Sequence, residues 1–110
     1  MVTWFFNKGY QRIALINGPA TLAASNDRLN GYKDAVSNRK LKVDMQLVEA
    51  TDFSKESTIA ALKKLLALKN KPEVIISFND YVHMDAVQFA KLMKIKVNKQ
   101  IIFASYANLP

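Results

Sequence analysis

A chain of 110 residues that is 50% hydrophobic, with three glycines and three prolines, has the composition of one globular domain. The absence of cysteine excludes disulfides and thiolate metal sites, and no apolar run approaches the ~18 residues a membrane span needs. A net charge of +7 raises the question of nucleic-acid binding, but the sixteen Lys and Arg are spread thinly. Lys63, Lys64, Lys91, Lys94, Lys96 and Lys99 flank apolar positions of helical patterns, so the charge reads as a lysine-rich surface.

In chain order, Trp4-Phe5-Phe6 fits the end of a helix stopped by Lys8-Gly9. The start lacks the charged region, long apolar core and cleavage site of a signal peptide, which points to the cytoplasm. Residues 12–17 form a short apolar run ended by Gly18-Pro19, the pattern of a buried parallel strand. Residues 23–37 place Leu29, Tyr32, Ala35 and Val36 at helical spacing. Gly31 is a cost inside that helix, tolerable where something packs close. Residues 45–50 read as the next strand.

Ser54 then offers a helix N-cap, with Ser57 a poorer alternative. The following helix sets Ile59, Leu62, Leu65 and Leu66 on one stripe. Lys71-Pro72 breaks the chain before a buried-strand pattern at 73–77. Asn79-Asp80 caps a helix running to about Lys94, and residues 100–105 form a fourth strand. This alternation predicts a Rossmann-like, three-layer α/β/α fold on a parallel sheet. A chain that opens within a helix and closes just after a strand reads as a fragment of something longer.

Ligands of such sheets bind beyond the C-terminal strand ends, where the strand order reverses. The loops there span 17–28, 50–54, 77–80 and 105–110, and they hold Arg28, Phe53, the Asn79-Asp80 pair and Asn108. The set suits a polyhydroxylated ligand, because an aromatic face covers the apolar side of a sugar ring while Arg and Asn grip hydroxyls in pairs. Each residue also fits a plainer role. Asn79 and Asp80 can be only an N-cap pair, Phe53 a lid over the core, and Arg28 a solvated helix charge. His83, the single histidine, sits in an amphipathic helix without partner ligands, which favours a structural role. Gly18-Pro19 lacks the later glycines of a dinucleotide fingerprint, and no P-loop, nucleophile elbow or metal-spaced set occurs. No catalytic residue, metal or cofactor is therefore expected.

Tyr10 to Pro19 (YQRIALINGP), Arg28 to Tyr32 (RLNGY), Asp52 to Ser54 (DFS) and Phe78 to Asp80 (FND) resemble, in order and spacing, the LacI/GalR family of repressors. They match the C-terminal lobe of that family's periplasmic-binding-protein-like effector domain, and residues 102–110 are similar to the strand and loop near its interlobe crossover. The resemblance covers nearly the whole chain. It implies one lobe, residues 1–110, of a sugar-responsive transcription regulator whose second lobe and operator-binding helix-turn-helix domain lie outside this sequence. It further implies that Arg28 holds effector hydroxyl or carboxylate groups, that Phe53 stacks on the ligand, and that Asn79 makes a polar contact. One departure stands out. Many relatives carry an aspartate after the Gly-Tyr or Gly-Phe that follows the last strand, whereas Tyr106 precedes Ala107 and Asn108, so Asn108 is the candidate for that contact. Leu22 and Ala24 occupy positions where some relatives place polar specificity residues, and a purine-type effector is not supported.

The helix from Asn79 to Lys94 is apolar almost all round, more than one sheet face requires. A second burial surface follows, and the resemblance implies a homodimer interface with Met84, Val87 and Gln88. The rival reading is a lobe of an exported sugar-binding protein. A flavodoxin-like or receiver module ranks last, because Asn17-Gly18-Pro19 is not the acidic cluster a receiver shows after its first strand.

Overall fold

The two most continuous apolar runs become the two inner strands of the sheet. In the computed structural model, which describes residues 1–106, β1 (Ile13–Asn17) and β3 (Val74–Ser77) are buried at every position, as strands covered on both faces should be. β2 (Val48–Ala50) and β4 (Ile102–Ser105) flank them. All four strands are parallel in the order β2-β1-β3-β4, with Ile13 opposite Val74 and Ile75 opposite Phe103.

Four helices cover the sheet: α1 (Val2–Asn7), α2 (Ala23–Asn38), α3 (Lys55–Leu66) and α4 (Asp80–Leu92). Successive strand residues face opposite sides, and two cores result. Ile13, Leu15, Val74 and Ile76 pack against Val2, Phe5 and Phe6 of α1 and Tyr32, Ala35 and Val36 of α2. Ala14, Ile16 and Ile75 pack against Leu62 and Leu65 of α3 and Val82, Ala86 and Ala90 of α4. The three-layer α/β/α expectation holds.

Local chemistry sets the element ends. Gly9 stops the first helix segment with a φ of +100°, a left-handed conformation only glycine adopts freely. The Ser54 hydroxyl accepts from Ser57 N at 3.1 Å, and Asn79 Oδ1 accepts from Val82 N at 3.0 Å, so both expected N-caps are present. α4 ends at Leu92, and Lys94 takes a φ of +62°. The expected strand at 45–50 is only half strand. The Asp44 carboxylate accepts from Gln46 N at 3.0 Å and winds Met45–Leu47 into a 3₁₀ turn before β2 begins. Ile59 and Leu29 are half-buried rather than core, while Thr58 is buried on the inward stripe of α3. The six lysines read as solvated are all exposed.

Gly31 departs from its expectation, because a Cβ placed there would meet nothing within 4 Å. Its helical backbone suits alanine, so Gly31→Ala should stabilise the chain by ~0.5–1 kcal/mol through helix propensity and a smaller unfolded-state entropy. A urea midpoint unchanged or lowered at constant m-value would contradict that.

Candidate functional site

From β1 the chain steps outward to β2, and from β3 it steps the other way to β4, so the strand order reverses between the C-terminal ends of β1 and β3. The loops leaving those ends are tied together by buried polar groups. Asn17, 5% exposed, donates from Nδ2 to Ser25 O at 2.9 Å and accepts from Gly18 N on Oδ1 at 2.9 Å, which fixes the start of α2 against the end of β1. The Thr51 hydroxyl and amide both donate to Asn17 O, at 2.9 and 3.0 Å, bringing in the loop after β2.

Phe53 sits on that frame with a φ of +71°, a left-handed conformation that is costly for an aromatic residue. The surrounding bonds hold it there: Phe53 N donates to Thr51 Oγ1 at 3.3 Å, and Ser54 N donates to the Asp52 carboxylate at 2.9 Å. Those hydrogen bonds from Ser54, with a further one from Ser57, hold the Asp52 carboxyl down at about 2. The conformation lays the Phe53 ring over Gly18. A Cβ on Gly18 would lie 2.8 Å from Cζ of that ring and 2.9 Å from Ser25 Oγ, so residue 18 must lack one for the ring to rest there.

The Phe53 ring in turn meets Phe78, with centroids 5.1 Å apart and planes tilted by 51°. Arg28, on the first turns of α2, brings its guanidinium carbon to 4.1 Å from the Phe78 centroid and 5.0 Å from that of Tyr106. Phe53, Phe78, Arg28 and Tyr106 thus form one continuous aromatic–cationic layer across the loops. Burial pushes the Tyr106 hydroxyl pKa up, with the nearby Arg28 charge acting in the opposite direction. Arg28 Nη1 donates to Ala24 O at 3.3 Å, while its Nε is buried with no acceptor among the described residues. Beside it lies a hollow of about 380 Å³ lined by Met1, Val2, Thr3, Asp27, Gly31, Ala35 and Tyr106 as well as Arg28.

Of the residues singled out in the sequence, Arg28 and Phe53 are linked through Phe78. Asn79 follows Phe78 directly, and its side-chain oxygen serves the α4 cap. Asn108 lies outside the described residues. Phe78 and Tyr106 were quoted in the sequence pattern without a role, and only their tertiary contact with Arg28 supplies one. The Arg28 Nε and the buried Ser25 and Ser77 hydroxyls, which lack partners among the described residues, carry no sequence signal. Among the described residues no cluster of three His, Asp or Glu could hold a metal, and no helix is long and apolar enough to cross a membrane.

The profile of the periplasmic binding protein-like domain matches residues 2–109. The chain belongs to that family. Over 98% of its length this periplasmic binding protein-like domain is 28% identical to the HTH-type transcriptional repressor CytR of Escherichia coli K12, and over 91% it is 31% identical to the HTH-type transcriptional regulator DegA of Bacillus subtilis 168. The matched segments are 32% and 29% of those proteins, so the chain spans about a third of the length of these curated relatives. Among solved structures, a LacI transcriptional regulator from Bacillus cereus subsp. cytotoxis superposes with a TM-score of 0.89 at 25% identity, over 94% of this chain and 37% of that one. A CelR–cellobiose complex superposes with a TM-score of 0.84 at 25% identity, over 93% of this chain and 31% of that one. The resemblance to the effector domain of LacI-type regulators, read from four short motifs, is borne out.

Proposed function

We propose that this domain is the effector-sensing lobe of a LacI-type transcription regulator, one that binds a sugar or sugar phosphate in a cleft closed by a second lobe. The carrying observation is Arg28, half-buried at the strand-order reversal, with a buried Nε that finds no acceptor among the described residues. A buried donor left unpaired costs about 1–3 kcal/mol, and a bound ligand removes that cost. Phe53 offers a ring, 37% exposed, to the apolar face of a sugar. Asn79 is a further polar contact to the ligand, and Asn108 takes the same role by the family resemblance. The CelR relative in complex with cellobiose supports a carbohydrate of this general kind.

Such a lobe senses rather than catalyses. Its effector shifts the population between two lobe arrangements, and does so only to the extent that it binds one of them more tightly. Operator DNA is engaged by a separate helix-turn-helix domain in the cytoplasm, in keeping with the HTH-type names of CytR and DegA. α4 supplies a homodimer contact through Met84, Val87 and Gln88. Met84 and Gln88 are exposed, while Val87 packs on the α3–α4 core.

The test is operator binding by the full-length regulator, followed by fluorescence anisotropy across a panel of sugars and their phosphate esters. Arg28→Ala should raise the effector concentration needed for half-response by about 10- to 100-fold, the worth of a charge-assisted hydrogen-bond pair. Phe53→Ala should raise it roughly tenfold. A wild-type response in both variants removes these residues from the site.

A further inference from the structure

The sixteen Lys and Arg, spread thinly along the sequence, are gathered by the topology. All four strands run parallel, so the loops entering them meet at one end of the sheet, opposite the candidate site. The loops at 8–12 and 39–44 carry Lys8, Arg12, Arg39, Lys40 and Lys42. Those at 67–73 and 93–101 carry Lys69, Lys71, Lys94, Lys96 and Lys99. Ten of the sixteen positive residues therefore share this end with two of the nine acidic ones, Asp44 and Glu73. The rest of the chain holds six positive and seven negative residues, so the net charge of +7 belongs to this face.

Internal bonds engage both acidic groups and both arginines. Glu73 Oε1 accepts from Gln11 N and Arg12 N at 2.8 and 3.0 Å. Asp44 accepts from Gln46 N and lies 3.9 Å from Arg12, whose Nε donates to Asn70 O. Arg39 Nη2 donates to Phe6 O at 2.6 Å. The eight lysines are all exposed, and among the described residues none of them pairs with a carboxylate. Helix C-termini also gather here, but each offers only roughly half a negative charge, too little to neutralise eight ammonium groups. Lys40 and Lys94 stand just past the ends of α2 and α4 at φ of +58° and +62°, where glycine is the less strained residue. Positive charge is kept there against a backbone cost.

We propose that this basic end is a sequence-independent docking face for duplex DNA, distinct from any helix-turn-helix contact and from the effector site. Lysine ammoniums are point charges that meet phosphate oxygens from any direction, and phosphate contacts carry no sequence information. The face presents loops and helix ends, with no helix side or strand ribbon to enter a groove. An acidic protein is best met by guanidinium forks, and both forks at this end are already engaged. A lipid surface needs apolar side chains to insert, and of the large ones these loops expose only Leu41 and Met93. Because the face lies across the sheet from the strand-order reversal, a bound duplex leaves the candidate effector site open.

Fluorescence anisotropy of two labelled DNA duplexes of unrelated sequence, titrated with this chain at several salt concentrations, reads the contact. Half-saturation is expected at roughly 10–100 μM in about 50 mM salt, within about twofold for the two sequences. About half of the eight lysines can reach one duplex, so log affinity should fall with log salt at a slope of about −3 to −4. Lys71→Gln with Lys96→Gln should weaken binding about tenfold and make that slope shallower by about 2. Lys33→Gln with Lys55→Gln removes the same charge from outside these loops and should stay within about twofold of the wild type. Absence of binding up to about 1 mM, a preference above about tenfold for one duplex, or equal weakening by the two double variants overturns the proposal. So does tighter binding to polyglutamate, or to vesicles of phosphatidylcholine and phosphatidylserine, which would make the partner an acidic protein or a membrane. The salt slope and the polyanion comparison are read on the wild-type chain, so they hold even if a variant folds poorly.

Discussion

Leu62→Ala is expected to lower the unfolding free energy of the chain by about 3 kcal/mol, a large fraction of the roughly 5–15 kcal/mol a domain has in hand. Leu62 is 0% exposed and lies in the core that α3 and α4 form against the sheet, together with Ile16, Ile75 and Val82. Truncation removes three carbon atoms and leaves a cavity bounded by strands that are themselves pinned on their other face, so little collapse can refill it. Urea denaturation followed by far-ultraviolet circular dichroism gives the number directly. Leu92→Ala is the control, since Leu92 is 78% exposed and should change stability by no more than ~0.5 kcal/mol. A loss below ~1 kcal/mol at Leu62, with unchanged m-value, would mean that this core tolerates a void the packing says it cannot.

Tyr32 gives the second large effect, and it depends on pH. Its ring is 1% exposed between α2 and the sheet, and its hydroxyl donates to Ile13 O at 2.6 Å. Burial pushes its pKa from 10.0 up to about 12; the Asp44 charge adds to the rise and Arg12 opposes it. Between those values the folded chain keeps a proton that the unfolded chain has released. Unfolded chains then bind fewer protons, so stability falls as pH rises above 10 and stops falling from this source at about 12. Across that interval the loss is ~2–3 kcal/mol. Tyr32→Phe should cost about 1 kcal/mol at neutral pH by orphaning the Ile13 carbonyl, and should flatten the alkaline descent. Urea midpoints at neutral pH and at two points above 10 separate the two effects. Parallel alkaline slopes in both proteins would exclude Tyr32 as their source.

Most of the framework was legible because burial on two faces leaves a strong trace. Residues 13–17 and 74–77 are apolar runs with no polar side to hide, and their flanking Gly18-Pro19 and Lys71-Pro72 marked the ends. Ser54 and Asn79 were legible as caps because capping is a contact within three residues. Met45–Leu47 misled because an alternating apolar pattern is shared by a strand and by a short turn, and a single carboxylate decided between them. At the site, the chemistry of Arg28 and Phe53 was visible but their company was not. The contacts of Arg28 with Phe78 and Tyr106 join α2 to the ends of two later strands, and no local pattern encodes which ring arrives there. The positive φ of Phe53 was equally silent, since aromatic residues give no sign of a left-handed backbone.

The strand order also has a consequence for how the chain comes off the ribosome. β1 is the central rail of the sheet, yet its bonds to the β3 region, such as Arg12 N to the Glu73 carboxylate, join residues 61 apart. No hairpin can hold β1 in the meantime, because every pairing in the sheet is parallel and waits on a helix. At elongation rates of roughly 5–20 residues per second the Ile13–Asn17 segment emerges about 3–12 s before its main partner. For that interval a strand buried at every position in the finished fold has only the 3₁₀ turn and β2 to come, and α1 and α2 to shelter it. The buried contacts of Phe5, Phe6 and Tyr32 with Ile13 and Leu15 therefore guard the nascent chain before they stabilise the finished one.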